Sequence, residues 1–219
     1  VERGRLLPYI DIPLQHASDD MLSAMRRHVS AETQRSLCHA LRERIPGMAI
    51  RTTFITGFPG ETEADHEELL GFIDEVGFDA VGVFRFSPEP GTPAARMDAD
   101  ADLHVPEDVK LRRHAEIMEV QQRIAFEQAE FVAEQFDPEQ PLESGCRFDV
   151  LIDQPGDDGV HVGRTYFQAP QIDPITYVQS DRRPSPGELV RCVVTGSDGY
   201  DLMARPVESL ERRVSLSIL

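Results

Sequence analysis

Hydrophobic residues in the first part of the chain alternate between short apolar runs and helical spacing. Three apolar runs have the length of buried strands: Tyr9–Leu14, Met48–Thr56 and Asp79–Phe86. Between them, helical spacing predicts a helix capped by Ser18, a helix from about Ser30 to Arg44, and a helix that begins at Thr62 and Asp65. Strands that alternate with helices in this way are typical of a parallel α/β sheet or barrel.

The pattern changes after Met97. An acidic connector leads into a predicted long helix from about Pro106 to Gln135, where proline suits the first helical position. Five short apolar runs then follow, each bounded by glycine or proline: Arg147–Asp153, Val160–Tyr166, Ile175–Val178, Leu189–Thr195 and Leu202–Ala204. Short strands with this punctuation predict a small closed, antiparallel five-stranded barrel. The expected domains are therefore an α/β part over residues 1–105, a linking helix over 106–140 and the barrel over 141–210.

Three loops follow the predicted strands, and the carboxyl ends of parallel strands bind ligands. The loop Gln15–Ser18 offers an amide, an imidazole and a hydroxyl, which suit a ribose or a carboxylate. The loop Gly57–Glu61 has glycines that permit close backbone approach to a ligand. The loop Ser87–Thr92 belongs to a segment rich in proline and glycine. Each loop also has a purely structural interpretation: a helix cap, an ordinary turn and a connector, respectively.

Charge and composition narrow the possible partners. The chain has 39 acidic and 22 basic residues, a net charge of -17. Such a surface disfavours nucleic acid as the direct partner and attracts cationic partners, although it could also serve solubility alone. No apolar run approaches the roughly 20 residues of a membrane span. Cys38, Cys146 and Cys192 are far apart in sequence, so we interpret them as buried apolar residues without a metal.

Three segments, taken in order, resemble the later strands of the barrel in the radical-SAM methylthiotransferase family: DIPLQHAS, TTFITGFPGETE and GVFRFSPEPGTPAA. The five-strand region resembles the TRAM domain of that family. The resemblance therefore implies the C-terminal half of a radical-SAM barrel, a partial TIM-type fold, followed by an OB-like TRAM barrel. PYIDIPLQHAS, RTYFQAPQIDPITYV and GYDLMA resemble the RimO branch, which methylthiolates an aspartate of ribosomal small-subunit protein S-twelve (uS12).

The resemblance also implies a set of residues around S-adenosyl-L-methionine (SAM): Gln15, Ser18, Gly57, Phe58, Gly60, Glu61, Phe86 and Ser87. The family's cysteines for two 4Fe-4S clusters have no counterpart in this sequence, and clusters need thiolate ligands. We therefore expect a piece of a longer cytoplasmic enzyme, inactive alone, whose partners are uS12 and an electron donor.

Two alternatives remain open at this stage. One is a transfer-RNA methylthiotransferase of the same family, for which Arg182 and Arg183 form the strongest candidate basic pair. The other is a non-catalytic binding module. Neither alternative places the chain in a membrane.

Overall fold

The first part of the chain forms a parallel sheet with helical connections. The structure, a computed structural model, describes residues 6–211, and the chain divides into two units between Ile124 and Ala125. The first unit contains three strands in the order β1-β2-β3, all parallel: β1 (Tyr9–Gln15), β2 (Ala49–Thr56) and β3 (Ala80–Arg85). Helices α1 (Asp19–Ala24) and α2 (Ala31–Arg44) connect β1 to β2, and α3 (Glu63–Val76) connects β2 to β3. The predicted α/β fold is confirmed.

Short polar side chains set the starts of these helices. Ser18, Ser30 and Thr62 each accept a hydrogen bond from a backbone N–H in the first turn of the helix that follows. Thr62 and Asp65 complete a reciprocal capping box at the start of α3. Gly77 ends α3 in the left-handed conformation, with φ 59°, where a residue without a Cβ is preferred.

One face of the sheet packs against helices to form the core. Alternate residues of β2 are completely buried, including Ile50 and Phe54, because side chains of a strand point to opposite faces in turn. The ring of Phe54 meets those of Phe72 and Phe78 edge to face, with centroids 6.3 and 5.8 Å apart. Burying a phenylalanine of this kind stabilises the fold by roughly 2–3 kcal/mol.

Two helices follow β3. A short helix, α4 (Pro93–Asp98), which we did not predict, begins directly after the predicted loop Ser87–Thr92. It forms because Thr92 caps it and Pro93 takes the first helical position, where no N–H is needed. The long helix α5 (Glu107–Glu134) matches its predicted span closely and continues into the second unit.

The second unit contains a closed five-stranded barrel. Its strands run in the order β4-β5-β6-β8-β7: β4 (Arg147–Gln154), β5 (Val160–Arg164), β6 (Thr176–Gln179), β7 (Leu189–Asp198) and β8 (Asp201–Pro206). The predicted small barrel is confirmed, but its description as antiparallel is wrong for one pair, because β6 and β8 are parallel. An odd number of strands around a closed ring cannot all alternate in direction, so at least one neighbouring pair must be parallel.

The barrel interior is apolar. Val150, Ile152, Val178, Cys192 and Ala204 form its core. A second cluster joins Ala129 of α5 to Val194 and Leu202. The alternation of buried and exposed residues along β6 and β8 is the period-two pattern from which the strands were predicted.

Candidate functional site

The carboxyl ends of the three parallel strands lie at one edge of the sheet, as the α/β pattern predicts. Gln15 ends β1, Thr56 ends β2 and Arg85 ends β3. Seven of the eight residues that the family resemblance assigned to SAM lie in the loops that follow these strands, and the eighth, Gln15, is the last residue of β1. Gln15 has φ 75°, which is uncommon for a residue other than glycine and turns the chain sharply at this edge.

A buried carboxylate joins the first two loops. Glu61 accepts hydrogen bonds from the backbone N–H of Gly57 and from the hydroxyl of Thr56, the latter at 3.3 Å. His16 is fully buried, and its Nε2 lies 3.6 Å from Glu61 Oε1. His16 Nδ1 accepts a hydrogen bond from Ser18 N at 3.0 Å, whereas the buried Nε2 makes no hydrogen bond with any residue that the structure describes.

A second carboxylate holds the loop after β1 against α3. The hydroxyl of Ser18 donates a hydrogen bond to Asp65, which also accepts one from Thr62 N at 2.8 Å. Burial acts to raise the pKa of Asp65, but the hydrogen bonds from Ser18 and Thr62 outweigh it, and the pKa lies below its ordinary value. Ser18 and Glu61 therefore use their polar atoms inside the protein, where they fix the positions of the two loops.

Lys110 of α5 packs against the loops that follow β2 and β3. Gly57 has φ 75°, and a Cβ placed on it would lie 2.3 Å from Lys110 Cγ. Glycine is therefore required at this position both by the backbone conformation and by the lysine side chain. Lys110 Nζ lies 3.4 Å from the carbonyl oxygen of Phe86 and 5.3 Å from the centre of its ring. The Phe86 ring in turn meets Phe58 edge to face at 5.1 Å.

Arg113 supplies the positive charge that the buried carboxylate needs. Its guanidinium lies 3.5 Å from Glu61 Oε2 and donates a hydrogen bond to the Glu61 carbonyl at 3.1 Å. It also reaches Glu63 at 3.1 Å, and Arg112 reaches the same carboxylate at 2.8 Å. Hydrogen bonds from Arg112 and Arg113 lower the pKa of Glu63 to about 2.

Sequence reasoning missed Lys110 and Arg113, although a signal for both was present. The buried residues of the first part of α5 recur at helical spacing: Lys110, Arg113, Ile117, Gln121 and Ile124. Arg113 lies four residues before Ile117, and Lys110 lies three residues before Arg113. Both cations therefore continue the buried stripe of Ile117 and Ile124. Buried cations at stripe positions indicate anionic partners, which are Glu61 and Glu63 for Arg113 and Asp98, at 4.0 Å, for Lys110.

A cavity of about 460 Å³ opens beside this edge of the sheet. It lies between the ends of β1 and β2, the turn after α1, and α4, and its lining includes Gln15, Ile55, Phe58 and Met97. Cavities of about 300–1,000 Å³ are typical of small-molecule sites. Phe86 and Ser87 lie in the next loop along the edge, where Phe86 is half-buried and Ser87 is exposed.

The described part of the barrel unit, residues 125–211, is acidic, and each of its arginines contacts an acceptor within the chain. Residues 125–211 contain 17 acidic residues, six arginines and no lysine. Arg182 pairs with Glu188 at 2.7 Å and Arg183 with Asp157 at 2.9 Å, so the pair proposed for transfer RNA is neutralised. The other four arginines contact a carboxylate or a carbonyl oxygen: Arg147, Arg164, Arg191 and Arg205.

The three cysteines are separate thiols. Cys38 and Cys192 are buried, and Cys146 is partly buried. Burial raises the pKa of each, for Cys192 to about 12. Within residues 6–211, no group of three or more histidine, cysteine or carboxylate side chains is arranged to hold a metal ion. The described residues therefore do not fit a 4Fe-4S cluster.

Comparison with known domains identifies both units. Residues 2–73 match the radical SAM superfamily and residues 145–207 match the TRAM domain. The chain therefore joins part of a radical-SAM domain to a TRAM domain. Radical-SAM proteins use SAM and a 4Fe-4S cluster.

Curated relatives define the family more closely. The chain is 42% identical over 200 residues to a protein of Lachnoclostridium phytofermentans, 44% over 210 residues to one of Anaeromyxobacter sp. (strain K), and 41% over 200 residues to one of Thermus thermophilus. All three are named ribosomal protein uS12 methylthiotransferase RimO. Along nearly its whole length the chain is therefore similar to the RimO branch of the radical-SAM methylthiotransferase family.

The match covers most of this chain but less than half of each relative. It includes 91%, 94% and 91% of this chain and 42%, 41% and 42% of the three relatives, respectively. A solved structure of coproporphyrinogen III oxidase (HemN) from Escherichia coli, described as a radical SAM enzyme, aligns with 59% of this chain and 30% of its own at 21% identity. At a TM-score of 0.48, this likeness carries no conclusion. None of the helices in the described part of the chain is long and apolar enough to cross a membrane.

Proposed function

We propose that this chain is the C-terminal part of an enzyme that methylthiolates an aspartate of uS12. The observation that carries the proposal is the agreement between the RimO relatives and the charge of the barrel unit. Residues 125–211 have 17 acidic residues against six arginines, and every one of those arginines contacts an acceptor within the chain. Such a surface suits a cationic ribosomal protein and disfavours a phosphate backbone.

The edge of the parallel sheet is the proposed SAM site. Gln15 and Phe58 would contact the cofactor directly, because both line the cavity, and Phe86 and Ser87 would contact it from the next loop along the edge. Gly57 and Gly60 would permit close approach of the backbone, and both have positive φ. Ser18 and Glu61 would act as positioning residues, since their polar atoms bind other parts of the protein.

Each of the three predicted domains would have its own role in the enzyme. Residues 1–105 would supply half of the barrel around SAM, residues 106–140 the linking helix, and residues 141–210 the TRAM domain that recognises the substrate. Two 4Fe-4S clusters would be held by cysteines that this chain does not contain. An external electron donor would reduce the enzyme, in the cytoplasm where ribosomal proteins are made.

A chimera tests this proposal. The matching C-terminal part of the Thermus thermophilus relative is replaced by this chain and expressed in a bacterium that lacks its own enzyme, with the intact relative as control. We expect the mass of uS12 to increase by the amount that corresponds to replacement of one hydrogen by a methylthio group. A methylthio group on transfer RNA instead would establish the other branch of the family. An unmodified uS12, in a host where the intact relative modifies it, would contradict the proposal.

A further inference from the structure

The cavity beside β1 and β2 differs in charge from the rest of the molecule. Arg26 and Arg27 line it, and none of its lining residues is an aspartate or glutamate. The chain as a whole has 39 acidic and 22 basic residues. A cavity whose lining includes two arginines and no acidic residue is therefore unexpected on composition, and positive charge beside it attracts anions.

The two arginines have different roles. Arg27 donates a hydrogen bond to the carbonyl of Pro13 at 2.8 Å, which holds the turn after α1 against β1. Arg26 is exposed, and its side chain makes no hydrogen bond or ion pair with any residue that the structure describes. Its guanidinium therefore keeps all of its donors for a ligand.

The backbone at Arg26 adds a second observation. Arg26 has φ 58° and lies directly after Met25, the last residue that caps α1. This position at the end of a helix usually holds glycine, which adopts the left-handed conformation without a steric penalty. An arginine here is held in a conformation that is unfavourable for it, and strained backbone of this kind clusters at ligand sites.

Gln15 completes the arrangement. It also has positive φ, lines the same cavity, and its side-chain amide has no partner in the described part of the chain. A guanidinium fork and an amide donor are the groups that bind a carboxylate with defined geometry. Two of the three residues other than glycine that have positive φ within residues 6–211 therefore line one cavity, and neither side chain has a partner in that part of the chain.

We infer that this cavity binds the side-chain carboxylate of the target aspartate, with Arg26 as the residue that recognises it. The identity of the carboxylate rests on the proposed function, whereas the anion site itself rests on the cavity alone. An aspartate has a single carbon between its backbone and its carboxylate, so a residue that holds the carboxylate also holds the reacting carbon. Phe58, a proposed SAM contact, lines the same cavity, so that carbon would lie close to the proposed cofactor site.

The test measures binding of small compounds to this chain by nuclear magnetic resonance, with the side-chain N–H signals of arginine as the readout. The ligand is N-acetyl-L-aspartic acid α-amide, and the matched compound without the charge is N-acetyl-L-asparagine amide. S-adenosyl-L-homocysteine and inorganic phosphate are the other ligands. The variants are Arg26→Gln and Arg26→Gly, with Arg44→Gln, an exposed arginine at the end of α2, as control.

We expect the aspartate compound to bind the unchanged chain and the Arg44→Gln variant equally. Loss of a charge-assisted contact should weaken binding about tenfold or more in both Arg26 variants. The asparagine compound should bind to the unchanged chain as weakly as the aspartate compound binds to the Arg26 variants. Arg26→Gly should melt at the same or a higher temperature than the unchanged chain, because glycine is relaxed at this φ, so its loss of binding would not reflect unfolding.

Three results would overturn the inference. Equal binding of the aspartate compound to the Arg26 variants would show that Arg26 does not recognise it. Equally strong, Arg26-dependent binding of phosphate would indicate a general anion site. If only the binding of S-adenosyl-L-homocysteine depended on Arg26, the carboxylate that Arg26 recognises would be that of the cofactor. A chain that binds the aspartate compound through Arg26, but whose chimera leaves uS12 unmodified, would contradict the proposed function and leave the anion site standing.

Discussion

Arg112 and Arg113 are adjacent on α5, and the structure predicts very different consequences for their removal. Both contact Glu63, but Arg113 is buried and also neutralises Glu61, whereas the Arg112 side chain is 45% exposed. Replacing Arg113 with methionine would leave the Glu61 carboxylate buried without its cation. Replacing Arg112 with glutamine would remove only surface ion pairs. The two variants therefore form a matched pair on one helix.

The expected magnitudes follow from burial. Removing one partner of a buried ion pair costs about 3–5 kcal/mol, because the remaining charge is uncompensated. An exposed pair contributes little, because water and salt screen its charges. Arg113→Met should therefore lower the free energy of unfolding of the first unit by about 3–5 kcal/mol, whereas Arg112→Gln should leave it almost unchanged.

Urea denaturation measures both effects, and two optical signals separate the two units. The helices α1 to α4 and most of α5 belong to the first unit, so far-ultraviolet circular dichroism follows it. Three of the four tyrosines, Tyr166, Tyr177 and Tyr200, belong to the second unit, so tyrosine fluorescence follows the barrel. The dichroism midpoint should fall in Arg113→Met while the fluorescence midpoint stays near that of the unchanged chain.

A double variant identifies the cause. If the cost arises from the unpaired carboxylate, Glu61→Gln combined with Arg113→Met should recover part of the stability lost in Arg113→Met alone. Equal losses for Arg112→Gln and Arg113→Met would refute the buried-pair reasoning. So would a double variant whose loss equals the sum of the two single losses.

Three further predictions concern glycine, thiol and carboxylate positions. Gly57→Ala should destabilise the chain by about 2–4 kcal/mol, since the new Cβ meets Lys110 at positive φ, whereas Gly71→Ala, in an open helical position, should stabilise it by about 0.5–1 kcal/mol; equal effects in thermal melts would contradict the packing at Gly57. Cys192 should resist alkylation at neutral pH until the chain unfolds, because burial holds its pKa at about 12 and only the thiolate reacts; rapid labelling of the native chain, read by mass spectrometry, would show that the barrel core is open. Glu63 has a pKa lowered to about 2 by its two arginine partners, so its contribution to stability is present above its ordinary pKa of 4.5 and is lost as the pH falls toward 2; because Glu63 is half exposed, the contribution should be under about 1 kcal/mol, and Glu63→Gln should flatten this part of the stability profile.

Local signals in the sequence predicted the elements well. Strand lengths, the capping residues Ser18 and Thr62, and the proline at the start of α5 act over a few residues, so they can be read without the fold. The helix α4 was missed because proline and glycine before it indicate a loop, while Thr92 and Pro93 still begin a helical turn. The one parallel pair of the barrel depends on closure of the whole ring, which no single strand encodes.

The candidate site was only partly predictable, for a physical reason. The loops after β1 and β2 were found because polar residues and glycines follow apolar runs. Lys110 and Arg113 reach the same site from α5, about 50 residues further along the chain than Glu61. Their helical spacing marks them as buried, but it does not show which loop or carboxylate they meet in the folded state. Arg26 is similar, since its unpaired side chain and positive φ are visible only in the structure.

Binding of this chain to purified uS12, compared with its binding to unmodified transfer RNA across a series of salt concentrations, tests the assignment to uS12. The acidic barrel unit predicts that uS12 binds preferentially and that its binding weakens as salt increases, because opposite charges attract less when screened. Preferential binding of transfer RNA would contradict the assignment to uS12 and favour the RNA-modifying branch of the family.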